Sequence, residues 1–112
     1  MDMARAKTKY VRISPRKARL VADMVRGNQV DAARVKLMYS NLKASRLIIK
    51  TLDSAIANAE TNMELQRRDL FIQEIRVDEG PTLKRAKSKC RGGRVPINKR
   101  TSHFTVVVGA KS

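Results

Sequence analysis

The sequence predicts an α+β fold in which three helices pack on a small antiparallel sheet of about three strands, with a long basic β-hairpin protruding. Helix-type periodicity occurs in three stretches up to residue 62, and strand-type alternation begins near residue 70. Helices followed by strands are typical of α+β domains. The 112 residues predict one domain, with a globular body at 1–79 and 104–112 and an extended hairpin at 80–103.

The first strand and the first helix are predicted from residues 4–27. Residues 4–13 are basic and alternating, which predicts an edge strand or an extended arm. A helix is predicted to begin at Ser14 and Pro15, because serine accepts a hydrogen bond from an early backbone N–H and proline fits the first helical position. Gly27 suits a C-terminal cap. The apolar face of this helix consists of Ala18, Val21, Ala22 and Val25.

Two more helices are predicted before the strands. Residues 30–39 predict a short helix with Asp31 in its first turn. Residues 41–62 predict the longest helix, about 30 Å at 1.5 Å per residue, and residues 61–69 predict a polar connector. The continuous apolar stripe of the long helix is assigned to the core, and it consists of Ala44, Leu47, Ile48, Leu52, Ala55, Ile56 and Ala59.

A long segment separates two strand-like runs at residues 71–78 and 104–108. It exceeds an ordinary turn, since hairpin loops usually take two to five residues. Gly92 and Gly93 lie near its midpoint and can supply the positive φ of a two-residue turn, so they are assigned as the hairpin turn. Arms of about ten residues at roughly 3.3 Å each would carry the tip about 33 Å from the body.

This turn assignment predicts a register in which residue i faces residue 185 − i. Val77 then lies opposite Val108, and His103 lies opposite Thr82. The same register places two sets of apolar side chains on one side of the sheet, and these are Ile75 and Val77 on one strand and Phe104, Val106 and Val108 on the other.

The charge of the chain predicts a nucleic-acid partner. The formal net charge is +15, with 25 Lys and Arg against 10 Asp and Glu. Polyphosphate is the simplest partner for such a field, ahead of a membrane surface or an acidic protein. No acid follows Glu79, and eight cations lie in residues 80–103. The candidate RNA-binding residues are Lys7, Lys9, Arg12, Ser14, Arg16, Lys17, Arg19, Lys84, Arg85, Lys87, Lys89, Arg91, Arg94, Lys99 and Arg100.

Three cations in the first turns of the first helix oppose the helix dipole, which prefers anions at that end. One interpretation is a solvated face that tolerates the penalty. The favoured interpretation is that a phosphate binds here, where backbone N–H groups and cations converge. The four aromatic residues of the chain are scattered, so base stacking is not expected, and phosphate, sugar and shape contacts should dominate.

No catalytic site, metal site, cofactor or small-molecule substrate is expected. His103 and Cys90 are the single residues of their kinds and lie far apart in the predicted ladder, so they suit neither a nucleophile pair nor zinc. No phosphate-loop spacing occurs. The sequence also lacks a signal-type apolar region and an apolar window of membrane-spanning length, and no membrane partner is expected. The lone cysteine fits a reducing interior.

Four segments carry a family resemblance, and they are RISPRKARLVAD (12–23), SAIANAE (54–60), VDEGP (77–81) and KRTSHFTVVV (99–108). In order and spacing they resemble the bacterial-type large-subunit ribosomal proteins numbered twenty-two. The resemblance implies a compact α+β body with a long β-hairpin. It implies a cytoplasmic, ribosome-bound protein that binds large-subunit ribosomal RNA, supports assembly and neighbours other ribosomal proteins. It also implies that the hairpin lines the polypeptide exit tunnel and meets the nascent polypeptide.

The tip of the predicted hairpin departs from that family's pattern. Family members often carry a Pro-Arg-Ala-x-Gly-Arg-Ala type of tip, whereas residues 88–94 read SKCRGGR at the same apparent length. A competing hypothesis from charge alone is a DNA-bending architectural protein with a basic β-arm. Such arms usually insert apolar wedges, for which only Val95, Pro96 and Ile97 are candidates.

Overall fold

Nine short elements build the protein. The computed structural model describes residues 3–88 and 94–110, with the backbone alone for residues 83–88 and 94–98. In chain order the elements are β1 (Met3–Val11), α1 (Pro15–Val25), α2 (Val30–Met38), α3 (Lys43–Asn62), a 3-10 turn (Arg67–Asp69), β2 (Leu70–Glu79), β3 (Leu83–Ser88), β4 (Arg94–Lys99) and β5 (Ser102–Ala110).

Three of the strands form an antiparallel sheet in the order β1-β5-β2, so β5 is central. The three helices cover this sheet, with α3 packed along β1 and β5, α1 on β2, and α2 against α3. The largest buried side chains at this interface include Phe104, Leu37, Ile48 and Leu52. The predicted α+β class, with three helices on a three-stranded antiparallel sheet, is confirmed.

The helices lie close to their predicted ranges and bury their predicted faces. The apolar face of α1 is fully buried, and six of the seven stripe residues of α3 are buried while Leu47 is partly buried. Helix α1 ends at Val25, and Gly27 follows with a φ of 81° that favours glycine. Ser14 occupies the N-cap position, but its side chain makes no capping hydrogen bond, so that detail of the prediction is wrong.

A bulge in β2 shifts the alternation of buried and exposed residues by one position. Leu70 and Ile72 are buried before it, and Ile75 and Val77 are buried after it, because one extra residue is inserted between Ile72 and Glu74. The Gln73 side-chain amide donates hydrogen bonds to the carbonyls of Gly109 and Ala110, each 3.3 Å long. The bulge therefore keeps both halves of β2 in the core despite the break in alternation.

The predicted register is wrong by several residues. Val77 pairs with Phe104 instead of Val108, and His103 pairs with Asp78 instead of Thr82. Strands β3 and β4 pair from Leu83 and Lys99 to Ser88 and Arg94, so residue i there faces residue 182 − i. The prediction assumed a two-residue turn at Gly92 and Gly93, which lie outside the described residues.

The predicted shared face is nevertheless confirmed, since all five of its apolar side chains are buried. Between residues 74–79 of β2 and β5 the register error is four residues, an even number. Side chains alternate between the two faces with a period of two, so an even shift leaves each on its predicted side.

Strands β3 and β4 form a two-stranded sheet of their own, here called the basic ribbon (Leu83–Ser88 with Arg94–Lys99). At its base, Gly80 N–H donates to the Thr101 carbonyl over 3.0 Å, and the Thr101 hydroxyl donates to the Pro81 carbonyl over 2.6 Å.

The molecule measures 62 × 25 × 18 Å with a radius of gyration of 17.0 Å. A compact chain of this length would have about 13 Å, so the structure is elongated. Within the described ranges, the helices are too short or too polar to cross a membrane.

Candidate nucleic-acid interface

The turn between β1 and α1 is held rigidly against the start of β5. Ile13 N–H donates to the Val11 carbonyl over 2.8 Å, which closes a tight turn. The fully buried Ser102 hydroxyl donates to the Ile13 carbonyl over 2.7 Å. Ser102 begins β5 and follows the end of the basic ribbon by three residues. This hydrogen bond therefore holds the start of α1 close to Lys99 and Arg100, which precede Ser102 in the chain.

A basic concavity lies at this junction, with a volume of about 380 Å³. The start of α1, the start of α3 and the end of β4 all contribute to it. Its lining carries five cations and no acid, and it consists of Arg12, Ile13, Ser14, Lys17, Lys43, Lys99 and Arg100. The five cationic side chains are exposed.

None of these five cations forms an ion pair within the described part of the chain, whereas other arginines there are paired. The pairs are Arg26 with Asp23, Arg34 with Asp53, Arg67 with Asp31, and Arg76 with both Glu74 and Asp78. The acids of the body thus neutralise cations elsewhere. Within the described residues, the charge of the basic concavity is therefore not neutralised by an ion pair.

Two of these ion pairs shift the pKa of a member. The hydrogen bond from Arg67 Nε to Asp31, 2.7 Å long, holds the pKa of that carboxyl below its usual value. The two hydrogen bonds from Arg34 to Asp53, 2.7 and 3.2 Å long, raise the pKa of the guanidinium. The first pair ties α2 to the 3-10 turn and the second ties it to α3. Both therefore hold elements of the body together.

Both helix starts that border the basic concavity lack a side-chain cap. The Ser14 hydroxyl makes no capping bond to α1, and Leu42 at the N-cap of α3 has no polar side chain to offer. First-turn N–H groups have no intrahelical partner, and the helix dipole makes this end positive. Uncapped N–H groups, a free hydroxyl and five cations together form a surface suited to phosphate oxygens.

The basic concavity collects five of the candidate residues predicted from the sequence, which are Arg12, Ser14, Lys17, Lys99 and Arg100. The sequence-based prediction omitted Lys43, which lies at this concavity because α3 packs beside α1. A signal for it did exist, because α3 also begins with cations and without an acid in its first turn. Lys7 and Lys9 on β1 and Arg16 on α1 are exposed but do not line the concavity.

Arg19 has a structural contact that the sequence did not reveal. Its Nε donates to the Val77 carbonyl over 3.2 Å, and Arg26 Nη2 donates to the Ile75 carbonyl over 3.0 Å. Gly27 N–H donates to the Ile72 carbonyl in the same way. These bonds cover the outer edge of β2, which would otherwise be open to pairing with another strand.

The remaining candidates lie on or beyond the basic ribbon. Lys84, Arg85, Lys87 and Arg94 belong to its two strands. Lys89 and Arg91 lie outside the described residues.

His103 supports the irregular end of β1. Its Nδ1 accepts a hydrogen bond of 3.1 Å from Tyr10 N–H, and the two rings meet edge to face with centroids 5.1 Å apart. Tyr10 has a φ of 59°, an uncommon value for a non-glycine residue. The histidine therefore stabilises a strained residue at the point where the β1 register shifts.

Residues 6–109 match the family model described as ribosomal protein L22p/L17e. The chain belongs to this ribosomal protein family. It is 61% identical over 108 residues to the large ribosomal subunit protein uL22 of Protochlamydia amoebophila (strain UWE25), covering 96% of this chain and 97% of the relative. It is 54% identical over 109 residues to the protein of that name from Chlamydia trachomatis serovar L2b (strain UCH-1/proctitis), covering 97% and 98%. The family resemblance predicted from the four segments is confirmed, and membership does not support the DNA-bending alternative.

Proposed function

We propose that the chain is a structural constituent of the large ribosomal subunit and binds its ribosomal RNA through phosphate contacts. The observation that carries the proposal is the basic concavity, where five cations without ion pairs meet two uncapped helix starts. Family membership supplies the partner, because ribosomal proteins bind ribosomal RNA and one another. The protein acts in the cytoplasm as part of the ribosome, without performing catalysis.

The chain forms one domain, with a body at residues 1–79 and 104–112 and an extended hairpin at 80–103. The separate sheet of the basic ribbon and the elongated shape support this division. The hairpin lines the polypeptide exit tunnel and meets the nascent polypeptide there. A hairpin segment (80–103) with eight cations and no acid is suited to RNA walls, since isolated two-stranded sheets are only marginally stable in water.

The phosphate contacts divide between the body and the hairpin. The basic concavity, formed by the body together with the base of the hairpin, provides the main anchor. On the body, Lys7, Lys9, Arg16 and Arg19 extend the contact. Among the described residues, the other guanidinium N–H groups of Arg19 stay available, since its hydrogen bond to the Val77 carbonyl uses Nε. On the hairpin, the contacts come from Lys84, Arg85, Lys87, Lys89, Arg91 and Arg94.

The first experiment measures RNA binding against salt. Neutralising about eight phosphates predicts that log K falls with log salt at a slope near −6 to −7. Binding of the full chain to a large-subunit RNA fragment is compared with binding to random duplex DNA. In parallel, tagged protein should sediment with large ribosomal subunits after a moderate salt wash. Equal affinity for both nucleic acids together with loss from the subunit would contradict the proposal.

A matched pair of double variants tests the concavity itself. Lys17→Ala with Lys43→Ala removes two charges from it, while Lys36→Ala with Lys50→Ala removes two exposed helical charges elsewhere. The first variant should reduce the magnitude of the salt slope by roughly 1.4 to 1.8, because each lost phosphate contact contributes about 0.7 to 0.9. The second should change it much less. Equal effects would mean that only net charge matters.

A further inference from the structure

A second concavity adjoins the first and differs from it in chemistry. Its volume is about 370 Å³, and it is here called the apolar pocket, lined by Ile13, Lys17, Leu20, Asn41, Leu42, Lys43 and Ala44. It shares Ile13, Lys17 and Lys43 with the basic concavity. The two concavities therefore adjoin at these three residues, and each of the two lysines borders both of them.

The lining of the apolar pocket is unusual for the surface of so basic a chain. Leu20 and Leu42 leave 65% and 49% of their area exposed, while Ile13 and Ala44 are buried. Asn41 is exposed, and its side-chain amide has no hydrogen-bond partner among the described residues. The pocket thus offers two exposed aliphatic side chains and one exposed amide, together with two lysines.

We propose that the two concavities together bind one unpaired ribonucleotide of the RNA, with its phosphate in the basic concavity and its base in the apolar pocket. This inference rests on the proposed function and narrows it from phosphate contacts in general to a nucleotide turned out of its stack. A paired base cannot enter a pocket, because its faces and edges are occupied within the helix. Unpaired bases in loops and bulges are the usual targets of proteins that discriminate among RNAs.

Each part of a nucleotide meets a suitable part of the site. The phosphate meets cations and uncapped helix N–H groups. The base contacts Leu20 and Leu42 of the pocket lining, which are aliphatic, so no aromatic stacking is involved. The Asn41 amide has one donor and one acceptor group for a base edge. A protein side chain in the pocket is the less favoured occupant, because it would leave the neighbouring cations without an anion.

The test uses the full-length chain and three RNA hairpins that differ at one position. The first carries a single bulged nucleotide, prepared in all four base identities, the second has no bulge, and the third has an abasic bulge. Affinities are measured by fluorescence anisotropy, compared between the RNAs at one salt concentration and then repeated across a salt series. The bulged RNA with its base should bind more tightly than the paired and the abasic RNAs, while all three should keep a steep salt dependence.

Protein variants then locate the effect. Leu20→Ala with Leu42→Ala should weaken binding of the bulged RNA about fivefold, the loss expected for roughly 40 Å² less apolar burial, and leave the paired RNA unchanged. The control is Val35→Ala with Met38→Ala, which truncates two apolar side chains of α2 that are 52% and 59% exposed. As a second measurement, methyl resonances of Leu20 and Leu42 should shift with the bulged RNA and not with the abasic one.

The outcomes separate the inference from the proposed function. If all three RNAs bind equally with a steep salt dependence and both variants behave alike, the nucleotide pocket is refuted and phosphate binding stands. If no RNA binds in a salt-dependent manner, the proposed function fails as well. If the leucine variant binds every RNA normally but is lost from reconstituted subunits, the pocket holds a protein partner and the inference is overturned.

Discussion

Replacing Gly80 with alanine should destabilise the base of the basic ribbon. A Cβ at this position would lie 2.5 Å from Thr101 Oγ1 and 3.2 Å from Cε1 of His103. Thr101 is 3% exposed, and its hydroxyl donates the 2.6 Å hydrogen bond to the Pro81 carbonyl. The threonine therefore cannot rotate into solvent, and relief of the clash requires the loss of this bond or a shift of the backbone.

The expected cost follows from three contributions. Overpacking of a filled site costs roughly 1–3 kcal/mol. Loss of the threonine hydrogen bond adds about 1 kcal/mol, since water can reach the exposed Pro81. A gain of about 0.4–1 kcal/mol from the stiffer unfolded chain offsets part of this cost. We expect a net loss of about 1–3 kcal/mol in the free energy of unfolding, measured by urea denaturation with circular dichroism.

A double-mutant cycle identifies the cause of the loss. Thr101→Ala removes the obstructing oxygen, so Gly80→Ala should cost less in that background, with a coupling energy of about 1 kcal/mol. Gly27→Ala is the matched control, because no atom lies within 4 Å of its Cβ position and its φ of 81° is the only source of strain. The cost of Gly27→Ala should be independent of Thr101. A Gly80→Ala cost below about 0.5 kcal/mol, or additivity with Thr101→Ala, would refute the steric reasoning.

Three further predictions concern hydrogen bonds and an ion pair of the body. Ser102→Ala should cost about 1–3 kcal/mol of unfolding free energy and weaken RNA binding, because the buried Ile13 carbonyl loses its donor; unchanged urea denaturation would contradict this. Arg19→Ala should cost about 1 kcal/mol and raise self-association in sedimentation velocity, since the edge of β2 is uncovered. The lowered pKa of Asp31 means that its pair contributes stability fully above about pH 4 and loses it as pH falls further. Asp31→Asn should therefore destabilise more at pH 7 than at pH 3, as judged by urea denaturation.

Local periodicity was sufficient to predict the helices. The apolar residues of α1 and α3 recur at helical spacing, and the structure buries these faces against the sheet. The shared face of β2 and β5 was predicted for the same reason, because alternation along a strand reports its buried side. These features depend on residues close together in sequence, whose pattern is visible without knowledge of the fold.

Register and bulges could not be predicted in the same way. The register depended on an assumed two-residue turn, and moving the turn by one residue moves every pair by two. The β2 bulge depends on Gln73 reaching the carbonyls of Gly109 and Ala110, which are more than thirty positions away. Such contacts join distant segments, so the sequence pattern of either segment alone carries no trace of them.

The candidate site was predicted in part for a related reason. A list of cations could be read from the sequence, but it could not separate those with structural partners from those without. Arg19 was included although it covers the β2 edge, and Lys43 was omitted although it borders the basic concavity. Only the packing of α3 beside α1 distinguishes them. Ser14 was predicted correctly as the residue before the helix. Its hydroxyl makes no capping hydrogen bond, so it can face the basic concavity.

The distribution of charge explains why one small body can both fold and bind a polyanion. Every ion pair within the described residues uses an arginine and an acid at or before Asp78, and two of these pairs join α2 to α3 and to the 3-10 turn. From Gly80 onward no acid remains, so the ribbon and the basic concavity at its base share one uncompensated field. Like charges at this junction repel one another, and the phosphate binding proposed above would relieve this repulsion. Because phosphate would bind the folded arrangement and not the unfolded chain, RNA binding stabilises the junction that positions the ribbon.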